Sequence, residues 1–349
     1  MFFLHQLALA ALLTACSAGT DPASDPPPEA SPSSYSPTTR TYFLAAEEVD
    51  WDYAPSASNR IRPEMGLGVW GEQRTYPKVR YVGYTDATFT ERLVQPEHEG
   101  ILGPTLRAVV GDTLEVHFRN DASRPYSIHP HGVFYDKDNE GAPYAGIPGA
   151  GHQVAPRGEY TYRWSVPPRA GPGPEDGSSV VWLYHSHVNP SADVNAGLSG
   201  AIIVTSADRA SAEGTPDDVD REFVTLFEVY DENSDGGEEE GDLMHAMNGR
   251  IFGNLDGLSM VSGDRVRWYL LALGSEVDLH TPHWHGDTVL QAGRRTDTVE
   301  LLPASMLVAD MVAENPGTWL FHCHVADHVE AGMIALYRVG EGGDDAATP

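Results

Sequence analysis

Cysteine is nearly absent: two residues in 349 cannot build a disulfide framework. Basic residues are scarce as well, with 22 Lys and Arg against 51 Asp and Glu and a formal net charge of −29. Phosphate backbones and anionic lipid surfaces are gripped by clustered cations, so nucleic acid and anionic membranes are excluded as partners. Cationic small substrates fit better, although the acidity also serves solubility. Long apolar runs and sustained helical periodicity are missing too. The one apolar run of note, MFFLHQLALAALLTA (1–15), is too short to span a bilayer as a mature helix.

That run ends in small residues before Cys16 and reads as an export signal. Its last segment, LTAC (13–16), resembles the lipobox of bacterial lipoproteins, which implies a signal peptide over 1–16 and a lipid anchor on Cys16. The expectation is an exported lipoprotein on the periplasmic or cell-surface side, touching the membrane only through that anchor. The Ser/Pro-rich stretch that follows, 17–40, cannot bury apolar surface and reads as a disordered tether. One cysteine, Cys323, then remains unexplained.

Length predicts about two domains at ~150 residues each. From residue 41 the chain carries short Val, Ile, Tyr, Trp and Phe runs punctuated by Gly and Pro, such as YTYRWSV, GAIIVT and RVRWYLLAL. That texture predicts an all-β chain of sandwich type. An internal repeat is present. VVGDTLEVHFRN (109–120) leads to HPHG (129–132), and VSGDRVRWYLLA (261–272) leads to HWHG (283–286). VVWLYHSHV (180–188) answers GTWLFHCHV (317–325). Two copies of one β-sandwich, 41–206 and 221–340, are the economical reading.

The stretch FHCHVADHVEAGM (321–333) holds the chemistry. If FHCHV is extended, His322 and His324 point to one face and Cys323 to the other. A thiolate, imidazole and a weak axial thioether form the ligand set of a mononuclear blue-copper centre. Cys323, His328 and Met333 supply three of its four members; the plainer alternative is a buried cysteine beside ordinary histidines. The other histidines weigh against that alternative. Of fifteen, ten fall in clusters: His129 and His131; His185 and His187; His280, His283 and His285; His322, His324 and His328. Each HxH pair on a strand offers two imidazoles to one face. One such pair arises easily by chance, but clusters at matching points of a duplicated domain do not. The first copy has Ser186 where the second has Cys323, Tyr126 for His280 and a leucine near 198 for Met333, so it lacks a mononuclear site.

In chain order, HxHG, HxH, HxxHxH and HCHxxxHxxxxM resemble the four signatures of multicopper oxidases. LGPTLRAVVGDTLEVHFRN, IHPHGVFYDKDNEGA, MHAMNGRIFGNL and HCHVADHVEAGM look like the ceruloplasmin and hephaestin branch, over about residues 100–340. The resemblance implies two cupredoxin-like Greek-key β-sandwich domains, the first without type 1 copper. By position, type 1 copper takes His280, Cys323, His328 and Met333, and type 2 copper takes His129 and His283. The type 3 pair takes His131, His185, His187, His285, His322 and His324. Neutral imidazoles suit copper and resist oxidation better than thiolates. In this family the three-copper cluster lies between a first-type and a last-type domain, and two-domain members close that contact as a ring, so a homotrimer with clusters between subunits is expected.

The resemblance further implies a ferroxidase coupling four one-electron oxidations of Fe(II) to reduction of O2 to water. Hard iron ions favour oxygen ligands with at most one imidazole. Glu240, His245 and Asp327 occupy the iron-site positions, and Glu276 matches a glutamate contributed by a neighbouring domain. Glu238, Glu239 and Asp242 are alternatives for Glu240. A laccase-like phenol or cuprous-ion oxidase would need the same copper ligands without the carboxylates. A copper nitrite reductase would need type 1 ligands in the first copy, and a copper-binding lipoprotein would need no oxygen chemistry. Protons would arrive through Asp138, Glu140 or Asp297, among which the sequence does not choose.

Overall fold

The computed structural model describes residues 35–233, 242–275 and 277–342. The expected leader with Cys16, the acidic turn with Glu240, and Glu276 lie outside these residues. The fold begins earlier than the expected boundary at 41. Tyr35 Oη and Arg40 Nε each donate to Asp112, at 2.6 Å, so residues 35–40 are tied to the first sandwich rather than to a tether.

The first half contains β1 (Thr39–Asp52), β2 (Thr75–Tyr84), β3 (Leu106–Val109), β4 (Thr113–Asn120), β5 (His129–Pro130), β6 (Glu159–Ser165), β7 (Ser179–His185) and β8 (Ser199–Thr205), with a short helix α1 (Pro190–Asn195). The second contains β9 (Arg221–Asp231), β10 (Leu243–Met247), β11 (Ser259–Val261), β12 (Arg265–Ala272), β13 (Pro282–Trp284), β14 (Val289–Gln291), β15 (Arg294–Thr296), β16 (Met306–Val312), β17 (Gly317–Cys323) and β18 (Ile334–Gly340), with α2 (Ala326–Glu330). Sheet order repeats: β2-β1-β4-β6 and β3-β8-β7-β5 are answered by β10-β9-β12-β16-β14-β15 and β11-β18-β17-β13.

Strand β4 shows why the chain folds this way. Its alternating sequence buries Leu114, Val116, Phe118 and Asn120 and turns the intervening residues outward. In β12 alternation disappears, because both faces are covered. Val266, Trp268, Leu270 and Ala272 pack into the second sandwich, with Phe321, Cys323 and Met333. Tyr269 and Leu271 pack instead against Val181, Leu183, Ala201 and Ile203 of the first half. The two sandwiches are thus held by a shared apolar layer, and the continuous run RVRWYLLA is its sequence trace.

Two short strand pairs position the histidines. His129 on β5 stands opposite His185 on β7, and His283 on β13 stands opposite His322 on β17. The glycine closing each HxHG motif has a structural cause. Gly132 and Gly286 adopt φ of 73° and 77°, and a Cβ there would lie 2.0 Å from Trp182 and 2.6 Å from Trp319. Only glycine lets the chain turn over these indoles.

Candidate metal centres

His280, Cys323 and His328 converge in a buried pocket at one end of the second sandwich. Their donors stand 3.2 Å (Nδ1 to Nδ1), 3.7 Å (Sγ to His328 Nδ1) and 4.0 Å (Sγ to His280 Nδ1) apart. Donors about 2.0–2.3 Å from one ion at tetrahedral to trigonal angles are roughly 3.3–4.0 Å from each other, so the set fits a single small metal ion. Met333 is fully buried in the same cluster as Cys323, and its backbone is hydrogen-bonded to both Cys323 and His328. Burial pushes the Cys323 thiol up and, with His280 and His245 nearby, pulls His328 down to about 4. His328 is therefore a neutral donor near neutral pH.

Sequence reasoning missed Asp278, since no metal motif includes it. Its carboxylate is 1% exposed, accepts from Val229 N at 2.8 Å and Ser275 N at 2.6 Å, and lies 3.5 Å from His280 Nε2. This places a buried carboxyl group behind the ring and leaves Nδ1 facing Cys323.

The paired histidines form two further groups with matching geometry. In the first half, His131 and His185 bring their Nε2 atoms to 3.1 Å, and His129 packs on both rings and on His187. In the second, His285 and His322 do the same at 3.1 Å, with His283 packed on both and on His324. In four of these eight rings the inner nitrogen is fixed by a carbonyl. His129 Nδ1 donates to Glu140 O at 2.6 Å and His283 Nδ1 to Asp297 O at 2.9 Å. His185 and His322 donate to the carbonyls of Ser186 and Cys323. The Nε2 atoms are left for a metal. Burial draws His131 down to about 4 and His185 to about 3, which keeps both neutral.

Among the described residues, every ring contact among these eight histidines stays within one half, so the two halves of the expected cluster do not meet within one chain. Beside the second group lies an open cleft of about 620 Å³ lined by His283, His285, Asp287, Asp297 and Glu314.

Of the expected iron ligands, His245 and Asp327 flank the buried pocket. The His245 ring lies 5.0 Å from that of His328, its Nδ1 donating to Leu243 O at 3.0 Å. Asp327 is exposed in the first turn of α2, next to His328. Asp242 is engaged by Tyr76 Oη at 2.7 Å. Of the candidate proton carriers, Asp138 accepts from Ala150 N, Glu140 pairs with Lys137, and Asp297 Oδ2 lies 4.0 Å from His283 Nδ1. No helix among the described residues is long and apolar enough to cross a membrane.

Two profiles described as multicopper oxidase match residues 79–209 and 224–343. Hephaestin of Mus musculus is 40% identical over 353 residues, covering 88% of this chain and 29% of its own length. Ceruloplasmin of Homo sapiens is 38% identical over 338 residues, covering 86% of this chain and 30% of its own. The chain spans less than a third of these relatives. A crystal structure of a multicopper oxidase aligns with a TM-score of 0.62 at 24% identity, over 86% of this chain and 89% of that one. A blue copper oxidase from Nitrosomonas europaea aligns at 0.60 and 19%, over 87% and 86%. These two likenesses concern the fold alone, a pair of cupredoxin-like sandwiches.

Proposed function

The chain belongs to the multicopper oxidase family, and from that premise we propose that it is a ferroxidase, passing electrons from Fe(II) to O2. Copper is its cofactor, and the buried thiolate, imidazole and thioether set, with the paired imidazoles, suits it. His280, Cys323, His328 and Met333 would hold type 1 copper; His129 and His283 type 2; and His131, His185, His187, His285, His322 and His324 the type 3 pair. When bound, these ions supply one-electron uptake at the thiolate site and four-electron reduction of O2 at the cluster, balanced by four protons to give two waters.

The chain's own residues set the rest. Cys323 is joined by one peptide bond to His322 and one to His324, so a short covalent path links the two sites. Asp278 lies 3.5 Å behind the His280 ring, and the carbonyls of Glu140 and Asp297 aim His129 and His283. Asp297 also faces the cleft and is the best placed of the three candidates to deliver protons beside His283.

One observation carries the choice of iron: a half-buried imidazole, His245, and an exposed carboxylate, Asp327, lie against the copper ligand His328. Glu240 and Glu276 would complete an oxygen-rich site, on the resemblance alone. Asp327→Ala should lower kcat/KM for Fe(II) at least about tenfold, or about 1.4 kcal/mol, while sparing a bulky organic donor. Unchanged iron kinetics would favour a laccase-like phenol or cuprous-ion oxidase. Absence of O2 uptake with any donor would favour a copper-binding lipoprotein. Ser186 in place of a first-half thiolate speaks against a nitrite reductase.

The separation of the two histidine groups supports a homotrimer in which each cluster is completed by a second copy. Sedimentation of a fully copper-loaded, active monomer would refute it. We also propose lipidation of Cys16, supported by the LTAC segment and tested by fatty-acid labelling of wild type against Cys16→Ser.

A further inference from the structure

The first half lacks a mononuclear copper site, yet the place where one would sit is not loosely filled. In the second half Thr281 N donates to Cys323 Sγ at 3.4 Å; in the first, Ser127 N donates to Ser186 Oγ at 3.2 Å. Cys323 N bonds Met333 O at 3.1 Å, and Ser186 N bonds Leu198 O at 3.2 Å. Met333 N bonds His328 O at 3.0 Å, and Leu198 N bonds Asp193 O at 3.1 Å. His280 N bonds Leu301 O, and Tyr126 N bonds Val154 O. Bond for bond, Ser186 stands for Cys323, Leu198 for Met333, Tyr126 for His280, and Asp193 for His328.

What differs is the centre. Ser186 Oγ donates directly to Asp193 Oδ2 at 2.7 Å, whereas Cys323 Sγ and His328 Nδ1 stand 3.7 Å apart. The first distance is a direct hydrogen bond with no room for an ion; the second is the gap of two donors sharing one. Asp193 is 2% exposed and Ser186 fully buried, and Asn189 N completes the carboxylate at 2.9 Å. From Ser186 the network reaches the histidines. Ser127 Oγ accepts from His187 N at 3.1 Å and donates to Gly141 O at 2.5 Å, next to the Glu140 carbonyl that holds His129. His185 is bonded to the Ser186 carbonyl itself.

We propose that Ser186 and Asp193 are positioning residues: a buried hydrogen-bonded pair that replaces a metal and fixes His129, His185 and His187 for the three-copper cluster before copper arrives. The inference rests on the copper assignment above and is independent of which donor is oxidised.

The test uses Asp193→Ala, with Asp193→Asn as the conservative rescue, because an amide oxygen still accepts from Ser186 and Asn189. In copper-free full-length protein, hydrogen exchange of segment 185–198 should quicken at least about tenfold in Asp193→Ala and return toward wild type in Asp193→Asn. After copper loading, Asp193→Ala should bind copper at the paired-histidine sites about 10–100-fold more weakly, read as loss of the type 2 paramagnetic signal and the coupled-pair absorption. The blue band of the Cys323 site should keep its full intensity. Should Asp193→Ala fail to fold, Ser186→Ala removes the same bond while leaving Asn189 on the carboxylate, and the same comparison applies. Wild-type exchange and wild-type cluster copper would overturn the proposal, as would equal loss of blue and cluster copper, which marks general destabilisation. Loss of iron turnover with exchange and all copper signals as in wild type would overturn the positioning role and leave the ferroxidase reading standing.

Discussion

Glu228 is the clearest place to measure what the packing of the two halves costs. It lies on β9, between Leu226 and Tyr230, both turned into layers shared with the first half, and is 2% exposed. Burial raises its carboxyl from 4.5 to about 8; Asp278 pushes the same way, Lys78 opposes, and Tyr230 and Glu232 also face it. An acid whose folded pKa is raised favours the folded state only while protonated. Its contribution is full below the unfolded pKa of 4.5 and is lost as pH rises from there through 8. At about 1.4 kcal/mol per unit, the wild type should lose roughly 4 kcal/mol from this group between about pH 5 and pH 9. Glu228→Gln keeps the shape and removes the titration, and Lys78, Asp278, Tyr230 and Glu232 remain in both proteins. Urea denaturation in parallel, at fixed copper content, should give similar stabilities near pH 5 and a variant more stable by about 4 kcal/mol near pH 9. Parallel profiles for the two proteins would refute the reasoning, since they would mean that the carboxyl is as well solvated folded as unfolded.

Asp278→Ala strips the acceptor from the buried Val229 N and the part-buried Ser275 N, and should cost roughly 1–3 kcal/mol together with a shifted blue band as His280 loses its neighbour. A cost under about 1 kcal/mol would show that these amides find other partners. Gly286→Ala brings a Cβ to 2.6 Å from Trp319 at φ 77°, whereas Gly293→Ala has φ 73° with open space around it. The first should therefore destabilise more than the second, which reports the backbone strain of about 1 kcal/mol alone, and should also weaken copper retention at His285. Cys323→Ser should abolish the blue band and slow Fe(II) and organic-donor oxidation together by at least about a hundredfold while the cluster keeps its copper. Persistent turnover would place electron entry elsewhere.

Local periodicity makes much of this protein legible in its sequence. Alternation along FHCHV assigned Cys323 to one face and His322 and His324 to the other. In the fold Cys323 meets His280 and His328, while His322 and His324 meet His283. The paired GDxxxx runs and HxHG motifs also announced two copies of one sandwich, because the spacing of side chains on a strand is a property of the strand itself. Other features needed three dimensions. Asp193 answers His328 only in space: Asp193 follows Ser186 by 7 residues where His328 follows Cys323 by 5, so aligned motifs miss it. Asp278 belongs to no motif and becomes part of the site through backbone amides, one of them on β9, 49 positions away. The run EFVTLFEVY says that its residues are buried, but not that Glu228 faces a second sandwich. Sequence determined which faces carry chemistry, since a strand repeats every two residues; only the packing of distant segments decided which polar groups would lose their water and which partners would replace it.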